Sequence, residues 1–298
     1  MSHPTDPPRE HPSTYFVEDR TNRDEMTRLE IQDKLLTTGM GGVLPEQADP
    51  SVFRRVLDVG CGTGGWLMEM ARTFPAIERL VGGDISEKMV TYARSQAEHL
   101  GERVQFQTMD ALRVLEFPAA SFDLVNQRLG ASWLRTWDWT KLLLEYQRVT
   151  RPGGIIRITE AALVESSSPA LRKLCDLILQ TCYNSGRFFA RREDAVTQRL
   201  VLLMEMHGIE DIQTRHHTLV FHAGTSEHHH FCEDMAHLFR VSLPFFHKWT
   251  RVPSDYEQIY QQALIEMHQP DFVATWRLLT AWGVRPLRAV SLLMHGLN

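Results

Sequence analysis

VLDVGCGTGGW, residues 56–66, decides how the rest of the chain is read. Val56, Leu57 and Val59 make an apolar run of strand length, and Gly60, Gly62, Gly64 and Gly65 follow at once. Without Cβ atoms, these glycines let the backbone turn sharply and approach a ligand closely. Gly60, Gly62 and Gly65 satisfy the G-x-G-x-x-G spacing of a strand-to-helix loop that binds dinucleotides. Asp58 narrows that reading. A nicotinamide loop usually has an apolar residue there, whereas a carboxylate at the tip of the first strand suits a cationic ligand better than a pyrophosphate.

Outward from this loop, apolar runs of strand length alternate with amphipathic stretches of helix length. Strands are expected at 55–59, 79–83, 103–107, 122–126 and 154–159, with helices at 64–73, 87–99 and 138–149 between them. Such alternation predicts right-handed crossovers and a parallel sheet covered on both faces, an α/β doubly wound fold with its ligand at the strand ends. Beyond Glu160 the alternation loosens. Helices are expected at 169–183 and 191–207, and 212–223 and 272–282 read as the last two strands, with a helical insertion between them. The chain therefore divides into a disordered tail (1–12, with four prolines), an N-terminal helical segment (13–49) and a core (50–225). A helical cap (226–269) and a final strand with tail (270–298) complete it.

Two further carboxylates sit where strands end. Asp84, 24 residues after Gly60, can accept hydrogen bonds from the hydroxyls of a ribose; Ser86 is the better N-cap for the following helix. Asp110-Ala111 closes the third strand, where an aspartate reads equally as a solvated loop residue or as a partner for an adenine amino group.

VLDVGCGTGGW, Asp84, MDA (109–111), FDLV (122–125) and RVTRPGG (148–154), in this order, resemble class I S-adenosylmethionine-dependent methyltransferases, particularly the small-molecule branch. The resemblance implies a Rossmann-like seven-stranded sheet in the order 3-2-1-4-5-7-6, with strand 7 antiparallel. It also implies roles for matching residues toward S-adenosylmethionine. Asp58, Gly60, Cys61 and Gly62 fall near the methionine moiety, Asp84 on the ribose, Ile85 beside the adenine, and Asp110 and Ala111 at the adenine edge. The backbone near Gln127 would accept from the cofactor's amino group. The N-terminal helix would close over the cofactor as a lid, with Tyr15 at its entrance and Arg28 and Gln32, one turn apart, within reach of the cofactor carboxylate. The NPPY and DPPY tetrapeptides of adenine- and glutamine-amino methyltransferases are absent, which argues against such planar nitrogens as targets.

Composition sets the remaining bounds. With 32 Lys+Arg against 37 Asp+Glu the net charge is −5, which disfavours gripping nucleic acid electrostatically. No apolar run approaches a membrane span, the first residues lack a signal's apolar core, and four unpaired-looking cysteines suit a cytoplasmic protein. The expected partner is a small-molecule acceptor with apolar or aromatic surface. Met235, Leu238, Phe239, Leu243, Phe245, Phe246 and Trp249 exceed what a docking helix needs and suggest a pocket wall, and Trp133 reads equally as pocket wall or helix packing. No residue identifies itself as a general base. On a helix His228 and Cys232, or His229 and Glu233, have the i,i+4 spacing of ligands, but no third ligand follows at a recognisable interval, so no metal is expected. The competing functional readings are an NAD(P)-dependent oxidoreductase and a catalytically inactive cofactor-binding subunit.

Overall fold

A computed structural model describes Tyr15 and residues 23–287. The expected tail at 1–12 and the last residues from 288 lie outside them. Helix α1 (Arg23–Gly39) precedes the alternating part: β1 (Arg55–Val59), α2 (Gly65–Thr73), β2 (Arg79–Asp84), α3 (Glu87–Ala97), β3 (Val104–Thr108), β4 (Phe122–Arg128), α4 (Asp138–Val149) and β5 (Thr150–Ala161). Then follow β6 (Glu165–Ser166), α5 (Pro169–Asn184), α6 (Thr197–Met206) and β7 (Glu210–His222). The chain continues through α7 (Ser226–Val241), α8 (Leu243–Trp249) and α9 (Tyr256–Met267) to β8 (Val273–Val284).

The strands run β3-β2-β1-β4-β5-β8, with β7 along the far edge of β8. The first five are parallel, and β8 is antiparallel to both β5 and β7. With β8 counted as the seventh full strand this is the expected order. One strand was not foreseen. β6 pairs Glu165 and Ser166 with Thr275 and Ala274, prolonging β5 along the same edge of β8, so among the described residues eight strands form seven positions. Two residues carry too little pattern to show in a sequence. Likewise α6 begins at Thr197 rather than near 191, and β5 begins at Thr150, where the strand runs through RPGG with Gly153 at φ +72°.

Alternate residues of each strand face opposite layers. Val56, Leu80, Val104 and Leu124 pack with Trp66, Leu67, Val90 and Ala93 of α2 and α3 on one face. Leu57, Val81, Val125, Ile156 and Ile158 pack with Leu142, Leu143 and Tyr146 of α4 on the other. At the strand starts, Asp123 accepts from the amides of Arg54 (2.9 Å) and Arg55 (2.7 Å) and from Arg151 (2.6 Å). Both faces are therefore closed, and the ends of β1, β2, β4 and β5 are left to build a site.

Candidate active site

The strand tips open into a cavity of about 320 Å³, a size suited to a small molecule. Its lining is of two kinds. One part is polar and comes from the glycine loop and the strand ends: Asp58, Gly60, Cys61, Gly62, Asp84, Ile85, Asp110 and Ala111. The other is apolar and comes from α5 and the turn after it, α7, α8 and the segment after β5: Leu163, Ile178, Phe188, Met235, Leu238, Phe239, Phe245 and Phe246. Trp133 and Glu160 also line it, as do Tyr15, Arg28, Leu29, Gln32, Asp33 and Leu36 from the N-terminal segment.

The glycine loop is held by backbone bonds and by Asp84. The amides of Gly60 and Cys61 donate to the Gly83 carbonyl at 2.8 and 3.1 Å. Asp84 Oδ2 accepts from the Gly62 amide (3.0 Å) and Oδ1 from the Ser86 amide (2.8 Å), which orients the carboxylate in the cavity wall. Gly60 (φ +70°) and Gly62 (φ +53°) are left-handed, and a Cβ on Gly60 would stand 3.1 Å from Trp133 Nε1. Glycine is thus required twice over at position 60. Ser86 caps α3 by accepting from the Met89 amide, as its sequence position implied.

Asp58 is buried, and a polar chain fixes its direction. Asn126 donates to Oδ1 (2.8 Å), Arg157 donates to Asn126 (2.8 Å), and Glu46 accepts from Arg157 (2.7 Å). Burial pushes the Asp58 carboxyl up to about 6, with Arg128 and Asn126 only partly countering it. A cation brought to this carboxylate would restore its ionised form.

Every cofactor-side candidate but one lines the cavity. Gln127 is fully buried behind it, donating to Glu160 Oε1 (3.1 Å) and accepting from Tyr146 (2.7 Å); Arg128 and Leu129 take its place in the wall. Strand β4 runs to Arg128, two residues past its expected end. Arg28 is engaged elsewhere than expected. Its guanidinium donates to Glu25 (2.7 and 2.8 Å), to Tyr15 (2.9 Å) and to Asp234 of α7 (3.3 Å), all buried or half-buried. It ties α1 to the cap while also forming part of the wall. Asp33 pairs with Arg128, joining α1 to β4.

Five of the seven apolar residues named on the cap line the cavity; Leu243 packs against the core instead, and Trp249 is 40% exposed. Trp139 is core and Trp137 is exposed. His228 Nε2 lies 2.7 Å from the Met267 carbonyl and 3.2 Å from the Cys232 sulfur. Among the described residues, no three potential metal ligands gather. Cys175 and Cys182 line the cavity as neutral thiols, burial pushing both up to about 12. Among the described residues, no helix is long and apolar enough to cross a membrane.

Glu160 was missed. It closes β5, lines the cavity, and accepts from the amides of Gly130 (2.6 Å) and Ala131 (3.2 Å). The available signal was the one used for Asp58 and Asp84, an acidic residue ending a strand of the parallel sheet.

An open α/β sheet with a glycine loop after β1 and acidic residues at the following strand tips defines a nucleotide-binding fold of the Rossmann-like kind. The comparisons specify it. Residues 56–154 match the methyltransferase domain family. Demethylmenaquinone methyltransferase of Deinococcus radiodurans is 39% identical over 107 residues, 36% of this chain and 43% of that protein. Aklanonic acid methyltransferase of a Streptomyces species is 33% identical over 135 residues, 45% of this chain and 60% of that one. The chain thus spans about half the length of the curated relatives it matches. In fold it is similar to a phosphoethanolamine N-methyltransferase of Haemonchus contortus solved with S-adenosylhomocysteine, with TM-score 0.55 and 19% identity over 93% of this chain and 61% of that one. Over residues 56–154 the chain is thus similar to the methyltransferase domain of class I S-adenosylmethionine-dependent enzymes.

Proposed function

We propose that this protein transfers a methyl group from S-adenosylmethionine to a small acceptor with substantial apolar or aromatic surface. The observation that carries the reading is the two-part cavity: a glycine loop with acidic strand tips and an apolar, phenylalanine-rich wall share one enclosure. The residues fit the cofactor. Gly60 and Gly62 leave space at the loop, and Asp84 is oriented to take the ribose hydroxyls. Asp110 and Ala111 stand at the adenine edge, and Asp58 faces the cationic methionine end. When bound, the sulfonium supplies an already activated methyl group, so the protein's task is alignment and exclusion of water.

The chain divides that task between elements. The strand tips hold the donor, while Met235, Leu238, Phe239, Phe245 and Phe246 hold the acceptor in a dry setting. Helix α1 acts as the lid: Leu29, Gln32 and Leu36 line the enclosure, and the Arg28 and Asp33 ion pairs fasten it to α7 and β4. Collinear approach of nucleophile, methyl and sulfur follows from this confinement. We place the protein in the cytoplasm. Mass spectrometry of gently purified protein tests the reading: co-purifying S-adenosylhomocysteine is expected, and co-purifying nicotinamide dinucleotide would overturn it.

A further inference from the structure

Glu160 is unlike the other carboxylates of the cavity wall. Asp33 pairs with Arg128, Asp58 leans on the Asn126–Arg157 chain, Asp84 takes two backbone amides, and Asp110 lies 3.3 Å from Arg113. Glu160 is 1% exposed and, among the described residues, has no ion-pair partner; its three contacts are neutral N–H donors. An ionised carboxylate has about four acceptor directions. Gly130 and Gln127 take two at Oε1 and Ala131 takes one at Oε2, so one direction remains at Oε2. The arrangement is built. A Cβ on Gly130 would stand 2.9 Å from Glu160 Oε1 and collide with the Gln127 amide. A buried carboxylate without a cation is costly unless it takes a proton or a ligand.

On the methyltransferase reading above, we propose that Glu160 Oε2 accepts the proton of the acceptor's nucleophilic hydroxyl, and that the acceptor is an apolar molecule bearing an acidic phenolic or enolic O–H. Ala161, Leu163, Phe188, Phe239, Phe246 and Trp276 line the cavity with Glu160 and suit a ring system rather than a charged chain. The step balances. The hydroxyl oxygen bonds the methyl carbon as the carbon–sulfur bond breaks, leaving its electron pair on a neutral thioether. The hydroxyl proton passes to Oε2 and is lost to solvent after release. Burial pushes the Glu160 carboxyl up to about 7, the Ala131, Gly130 and Gln127 donors only partly opposing it, so it can exchange a proton at neutral pH. Other charged or titratable groups around it are Tyr146 of α4, Asp58 of β1, Asp84 and Asp110. The Asp33–Arg128 pair, the Tyr15–Glu25–Arg28–Asp234 cluster and the thiols of Cys61, Cys175 and Cys182 belong to the same enclosure.

The test uses 2-naphthol, an apolar phenol whose emission distinguishes naphthol from naphtholate and whose excited state gives its proton to a neighbouring base. It is titrated into the full chain with S-adenosylhomocysteine present. Expected is saturable binding with naphtholate emission, a ratio of the two emissions at least about tenfold lower in Glu160→Gln, and similar affinity. In the wild-type protein that ratio should rise as pH passes about 7. Equal ratios in wild type and Glu160→Gln would overturn the proposal, as would no saturable naphthol binding by a protein that binds S-adenosylhomocysteine. Should Glu160→Gln not fold, a wild-type ratio that is flat from about pH 5.5 to 8.5 overturns it. A wild-type chain that binds no S-adenosylhomocysteine fails the methyltransferase reading instead.

Discussion

Asp84 and Asp58 end neighbouring strands, yet their surroundings give them different expected behaviour. Asp84 is oriented by the amides of Gly62 and Ser86. Replacing it with alanine removes charge-assisted hydrogen bonds to a ribose, about 1.5–3 kcal/mol, so titration calorimetry should show affinity for S-adenosylhomocysteine roughly tenfold to hundredfold weaker. Asp58 is buried with its carboxyl raised to about 6. Ionising it in the ligand-free fold is disfavoured by about 2–3 kcal/mol, and Asp58→Asn relieves this while keeping an oxygen for Asn126. That variant should melt at a higher temperature than wild type at pH 7.5, with the gain gone near pH 4, and should bind the cofactor less tightly. A melting temperature unchanged at pH 7.5 would contradict the burial argument. Both aspartates were legible in the sequence because their meaning is local: a carboxylate at a strand end beside a glycine turn. Glu160 has the same position on its strand but depends on the turn at Gly130 and Ala131, some thirty residues earlier, which no local pattern shows.

Helix α1 shows what an element adds to a minimal nucleotide-binding sheet. It buries Leu35 and Leu36 in the larger core, lines the cavity with its middle turns, and reaches the cap through Arg28 and Asp234. Lining the cavity and belonging to the core are therefore not alternatives for this helix. Arg28→Ala would strand Glu25 and Asp234 as buried carboxylates, and loss of about 3–5 kcal/mol in denaturant unfolding is expected. Arg28→Ala combined with Asp234→Ala should recover part of that loss; no recovery would mean the two side chains are not coupled. Helical periodicity exposed α1, and the excess of large apolar residues exposed the wall offered by α7 and α8. Strand β6 stayed hidden, because it exists only by virtue of the far end of β8.

Across the whole molecule, raised and lowered carboxyls act in separate pH ranges. Burial raises Asp58 and Asp234 to about 6 and Glu160 to about 7. An acid with a higher pKa folded than unfolded binds its proton more tightly in the native state. Stability therefore falls as pH rises from the unfolded value near 4 to the folded one. Glu46 and Asp123 lie below the usual range, burial being outweighed by Arg157 and by Arg151 with the amides of Arg54 and Arg55. Their contribution is present above about 4 and is lost as pH falls through the folded values. His217, lowered by burial and Arg215, works against the first trend just below 6.5. The ligand-free protein should thus be most resistant to heat near pH ~4 and less so toward pH 8, and a melting temperature that climbs steadily to pH 8 would refute this balance. The central claim, that this enclosure is a methyl-donor site, is tested most directly by calorimetric titration of the purified chain with S-adenosylhomocysteine and, separately, with NADH. Saturable one-to-one binding of S-adenosylhomocysteine, weakened at least about tenfold by Asp84→Ala, with no heat from NADH, is the predicted result. Saturable NADH binding with none of S-adenosylhomocysteine would contradict it.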